Sequence, residues 1–166
     1  MIKVYQKVID PNHGDCMQAV FASLFHKELD EVPKFIEMGT GWFRAIVDFA
    51  KENGYSYGGM LHNKNFTRLC CPTSDCFKEP NYVKSMMLNK KNLNDGIDGF
   101  YYAGVLSPKF FNLGEGFTKQ HAVICDKNLK VVHDPNPEYA NLKKYPLANL
   151  LHYSGLIDIT LFEKIK

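Results

Sequence analysis

The sequence predicts an α+β fold in which helices near the N-terminus, one of them starting at a cysteine, pack on an antiparallel β-sheet. Apolar residues recur with helical period before residue 55, and an apolar run, a polar turn and a second apolar run follow at HAVICDKNLKVVHDPNP. No internal repeat or low-complexity tract interrupts them. At 166 residues we expect one domain: a helical part over about 12–55, a poorly readable stretch over about 56–98 and a sheet part over about 99–166.

Residues 2–9, IKVYQKVI, alternate loosely and stop at the turn signal Asp10-Pro11-Asn12, so they read as a short strand or an extended lead-in. The first helix follows. Met17, Val20, Phe21, Leu24 and Phe25 fall at offsets of three, four, seven and eight from Met17, which is one buried helical face. Asp15 is the expected N-cap, and Gln18 completes a capping-box pattern. Cys16 then occupies the first helical position. There the aligned peptide dipoles stabilise a thiolate over a thiol. The charge of Asp15 opposes that unless the carboxylate is engaged in capping.

Glu28 to Glu37 reads as a loop and a short helical turn with Pro33 near its start. Residues 41–54 form a second helix with Trp42, Ala45, Ile46, Phe49 and Ala50 on one face and Gly54 as a left-handed C-cap. From Tyr55 to Lys91 neither period persists. Phe100 to Leu106 is aromatic and β-branched and reads as a strand, Phe110 to Lys119 as a loop, and Leu156 to Ile165 as another strand of the same sheet. The two runs of the hairpin between them are apolar on both faces, which requires a covered sheet.

Composition narrows the functional classes. With 45% hydrophobic residues and a formal net charge of +2, the chain has neither the basic excess of a nucleic-acid binder nor the polarity of a disordered segment. No stretch has the pattern of a signal peptide or a membrane span. We therefore expect a cytoplasmic protein with no nucleic-acid or membrane partner. Five cysteines, an odd number, suit reduced thiols better than a disulfide framework.

An even hairpin loop, either Lys127-Asn128 or Asp126 to Leu129, pairs positions whose numbers sum to 255 and sets His121 directly opposite Asp134. Directly opposed residues hold their β-carbons about 4.5–5.5 Å apart, near enough for a carboxylate to accept an imidazole N–H. A loop of three residues would remove this pairing. With Cys16 these residues compose a nucleophile, a base and an orienting group, the set that covalent acyl chemistry needs. His133 alternates to the other face and is expected to be structural or at the rim, and Cys125 is expected to be a buried strand residue. Trp42 and Phe100-Tyr101-Tyr102 read either as the wall of a groove or as core.

The order Cys at a helix start, His on a later strand and Asp at the end of the next strand resembles the papain-like cysteine peptidases. Within them, Gly14-Asp15-Cys16 followed by QAVFASLF, and later HAV and VVHDPNP, resembles the bacteriocin-leader-processing cysteine peptidases and, more closely, small uncharacterised papain-like proteins of bacteria and their phages. The likeness covers Gln6 to Leu29 and His121 to Pro137. It implies a papain-like fold, a cysteine-dependent hydrolase acting on peptide or protein through a thioester, and a catalytic triad of Cys16, His121 and Asp134 with no cofactor. It also implies a glutamine ahead of the cysteine that donates to the reaction oxyanion. Gln6 is the candidate, because Gln18 is directed back along its helix by capping. Specificity for paired glycines is not carried across, since the transporter segments that accompany those peptidases are missing. Two other readings stay open: acyl or amide transfer, or deamidation, on the same site, and a non-catalytic binding module, either with a vestigial site or organised by zinc at Cys70, Cys71 and Cys76 with His62 nearby.

Overall fold

In the computed structural model, described over residues 1–10, 13–62, 85–107, 120–139, 150 and 155–166, two α-helices pack on an open sheet. The helices are α1 (Cys16–Leu24) and α2 (Trp42–Glu52). The strands are β1 (Tyr55–His62), β2 (Ser85–Met87), β3 (Phe100–Leu106), β4 (Gln120–Asp126), β5 (Val131–His133) and β6 (Leu156–Lys164). They lie in the order β2-β1-β6-β3-β4-β5, with β2 parallel to β1 and every other neighbour antiparallel. The α+β expectation therefore holds.

Helix α1 forms where its apolar period demands, and Val20, Phe21 and Leu24 are buried against Phe35, Phe49, Ile124 and Phe162. Phe21 is the hub of this layer, its ring in edge or stacked contact with Phe25, Phe35, Phe49, Tyr102 and Phe162. Helix α2 buries Ile46, Phe49 and Ala50 as expected, with Trp42 and Ala45 half-buried on the same core, and Gly54 follows at φ 85°. Trp42 is thus a core residue, as are Tyr101 and Tyr102. The other face of the sheet is buried too, around Leu61, Ala103, Val105, Val123, Ile159 and Leu161. That accounts for runs apolar on both faces.

Residues 2–9 take the second of their two expected forms, a lead-in segment that joins no ladder among the described residues. Three expectations need correction. The capping box does not form: Asp15 makes no side-chain bond into α1, and its two carboxylate oxygens instead accept the N–H groups of Lys7 and Val8, each at 3.0 Å. The Gln18 amide donates to the Leu29 and Val32 carbonyls at 2.8 and 2.7 Å, since carbonyls brought close by tertiary folding compete better than the helix end. The hairpin turn is not even. Asp126 N–H donates to Lys130 O at 3.0 Å across the three residues Lys127 to Leu129, with Leu129 left-handed at φ 61°. Leucine disfavours that conformation by about 1–2 kcal/mol. Burial of its side chain, and N–H bonds from Asn128 and Lys130 to Asp126 Oδ1 at 2.8 and 2.9 Å, offset it.

β1 and β2 emerge from the stretch whose pattern could not be read. Cys70, Cys71, Cys76 and the expected loop at Phe110 to Lys119 lie outside the described residues.

Candidate active site

Beyond the turn the β4–β5 register shifts, pairing Cys125 with Val131 but Ile124 with His133. Continued one step past β5, this register sets Asp134 opposite Val123 and makes His121 its diagonal neighbour on the same face. Diagonal partners stand about 7–8 Å apart at the backbone, within reach of two side chains as long as these. The expected direct opposition is wrong, yet the contact forms: His121 Nε2 donates to Asp134 Oδ1 at 2.8 Å, with both residues buried at 6% and 5% exposure. An Asx turn fixes the acceptor, since the same Oδ1 takes the Asn136 N–H at 2.8 Å. Asp134 Oδ2 is buried with no hydrogen-bond partner among the described residues.

With Nε2 engaged by Asp134, Nδ1 is the ring nitrogen left for Cys16, which lines the same cavity. Burial alone pushes the His121 pKa down. The hydrogen bond to Asp134, together with the hydrogen bond and charge of Cys16, outweighs burial and raises it from 6.5 to about 9. The ring is thus an imidazolium at neutral pH. Cys16 is half-buried at the α1 start, where its own N–H has no acceptor within the helix. Cys125 is the contrast: burial pushes its thiol pKa far above the free value, so it is an inert core residue.

Cys16 and His121 line one small cavity together with Gln6. Gln6 arrives on the N-terminal segment, which is tied down, besides the Asp15 bonds, by Gln6 N–H to Pro135 O at 3.0 Å, Val4 N–H to Ser23 Oγ at 2.9 Å, and His133 Nε2–H to Val4 O at 2.8 Å. His133 is therefore buried and structural, its ring edge-on to Tyr5 and its pKa lowered by burial. The Gln6 amide nitrogen gives one hydrogen to Val8 O at 3.1 Å and keeps a second.

Tyr139, Ser107 and Asn136 also line the cavity and were not singled out by the sequence. Tyr139 stands edge-on to the His121 ring at 5.1 Å and hydrogen-bonds Ser107 at 3.1 Å. Its sequence signal, a tyrosine shortly after Asp-Pro-Asn-Pro, is too common to be informative. Among the described residues no group of three or more His, Cys, Asp or Glu is placed to hold a metal ion, and no helix is long and apolar enough to cross a membrane. Set beside known proteins, the chain matches no family model, no curated protein and no solved structure.

Proposed function

We propose that the chain is a cysteine-dependent hydrolase of papain-like type, cleaving amide bonds in peptides or proteins in a reducing, cytoplasmic setting. The observation that supports it is the convergence of Cys16, at a helix start, on an imidazole whose other nitrogen is held by a buried carboxylate.

In this reading the Cys16 thiolate attacks the substrate carbonyl carbon and an S–C bond forms as the carbonyl π pair moves to oxygen. The oxyanion takes hydrogen bonds from the Cys16 N–H and from the second amide hydrogen of Gln6, and losing one such donor typically slows turnover about 100- to 1000-fold. Collapse breaks the C–N bond, and His121 Nδ1–H protonates the departing amine. The neutral imidazole then takes a proton from water, whose oxygen attacks the thioester, releasing the acid and restoring thiolate and imidazolium. Asp134 holds the ring in one orientation throughout and stabilises its charged form.

A cysteine paired with an imidazolium is a better nucleophile than a free thiol. At about pH 6, iodoacetamide followed by peptide mass spectrometry should label Cys16 before the other four of the five cysteines. His121→Ala should remove that preference. Equal labelling of Cys16, Cys70 and Cys76 would refute the activated nucleophile.

A further inference from the structure

We infer that a second cavity, opening beside the one that holds Cys16, is the recognition pocket for a single large apolar side chain of the substrate; this rests on the hydrolase reading above. The two cavities are neighbours, with Gly14 and Ile36 in the lining of both. They differ in size. The cavity at Cys16 measures about 50 Å³, room for a reacting carbonyl and its immediate neighbours, whereas the second measures about 220 Å³. The latter is smaller than the roughly 300–1,000 Å³ that hold a whole small-molecule ligand, and it suits one side chain of a longer chain.

Its chemistry selects the occupant. Leu29 and Phe35 form an apolar floor, Phe35 being 1% exposed, and Val8 and Ile36 wall it with exposures of 46% and 39%. Two unusually exposed aliphatic residues thus face the opening from separate segments, the N-terminal strap and the turn after Phe35. The rim charges compensate one another in pairs, Lys7 with Asp30 at 3.6 Å and Lys34 with Glu37 at 3.3 Å, and both Asp15 oxygens accept the strap N–H groups. A charged side chain would lose water against the floor, and Asp15, which pairs with no cation among the described residues, already has both oxygens bonded to strap N–H groups. An apolar one gains by leaving water.

The test uses tripeptidyl vinyl sulfones, which alkylate the active thiol, varied one position at a time through Leu, Ala, Lys and Glu. At one position leucine should react at least about tenfold faster than the other three, the low end of what a methylene-sized difference achieves in an apolar pocket. Ile36→Asp should bring the Leu:Ala ratio at that position close to one, and Ile36→Phe, which fills the mouth, should favour alanine. Because each ratio is taken within one variant, the fraction folded cancels. A flat profile at every position, or a tenfold preference for Lys or Glu, in protein whose Cys16 still reacts with iodoacetamide would overturn the pocket and leave the hydrolase reading standing. Failure of Cys16 to react with iodoacetamide as well would overturn both.

Discussion

Burial and pairing act on His121 in opposite directions, and the balance decides what the site can do. A buried imidazole with no partner would be neutral at pH 7 and would hold no thiolate. The net pKa of about 9 exceeds the unfolded value of 6.5, so the pair contributes stability that is fully present below about pH 6.5 and is lost as pH rises through about 9. The same transition removes the imidazolium. Turnover should therefore have an alkaline limb near pH 9, and the His121 ring resonances followed by NMR should titrate there too. Cys16→Ser, which takes away one raising partner, should move the NMR transition down; an unmoved transition would mean that the thiol is not a partner of His121. Asp134→Asn keeps a carbonyl acceptor for Nε2–H and should retain more Cys16 reactivity than Asp134→Ala.

The N-terminal strap is the element on which the site's geometry depends, although it belongs to neither helix nor sheet. Asp15 holds it beside α1 through Lys7 and Val8, and it carries Gln6 to the cavity. Asp15→Ala removes two charge-assisted but partly solvated hydrogen bonds and should lower stability by about 1–2 kcal/mol, read from urea unfolding. It should also reduce kcat by about tenfold or more, because the oxyanion donor loses its support. Iodoacetamide forms no oxyanion. The alkylation rate of Cys16 should not fall, and a parallel fall in both rates would place the effect on the nucleophile instead. Elements with a local signal were legible in the sequence: α1 and α2 through their apolar period, β3, β4 and β6 through continuous apolar runs. β1 was not, since Gly58 and Gly59 sit in its middle at a bulge and its burial follows no alternation. Of the site, Cys16, His121 and Asp134 were readable because each stands at the end of a readable element. Tyr139, Ser107 and Ile36 come from connecting segments that only the folded chain brings together.

At the scale of the whole molecule, the last strand in sequence lies inside the sheet, β6 bonding to β1 on one side and β3 on the other. Near its start it carries Asp158, whose Cα partners are His62 on β1 and Gly104 on β3. A β-carbon at Gly104 would stand 3.0 and 3.1 Å from the two carboxyl oxygens, so glycine makes the room that the acid occupies. Asp158 Oδ1 has no hydrogen-bond partner among the described residues, and burial raises the pKa of this group from 3.8 to about 7, against a smaller lowering by the Gly104 backbone. Burial pushes the pKa of His62, its cross-strand neighbour, below 6.5. Tyr57 feels the carboxylate as well, its pKa raised to about 12 by burial and then by Asp158. A folded pKa above the unfolded one means that the neutral acid is the form that folds. Stability from this group is then full below about pH 4 and lost as pH rises through about 7, where a shift of about 3 units corresponds to about 4 kcal/mol as an upper bound. Asp158→Asn keeps the shape and cannot ionise. In urea unfolding followed by circular dichroism it should be more stable than the wild type at about pH 8, by up to a few kcal/mol, with the gap closing toward pH 5 as the wild-type acid takes up its proton. Parallel pH profiles for the two proteins would mean that Asp158 is ionised in the fold and that a charge partner holds it there.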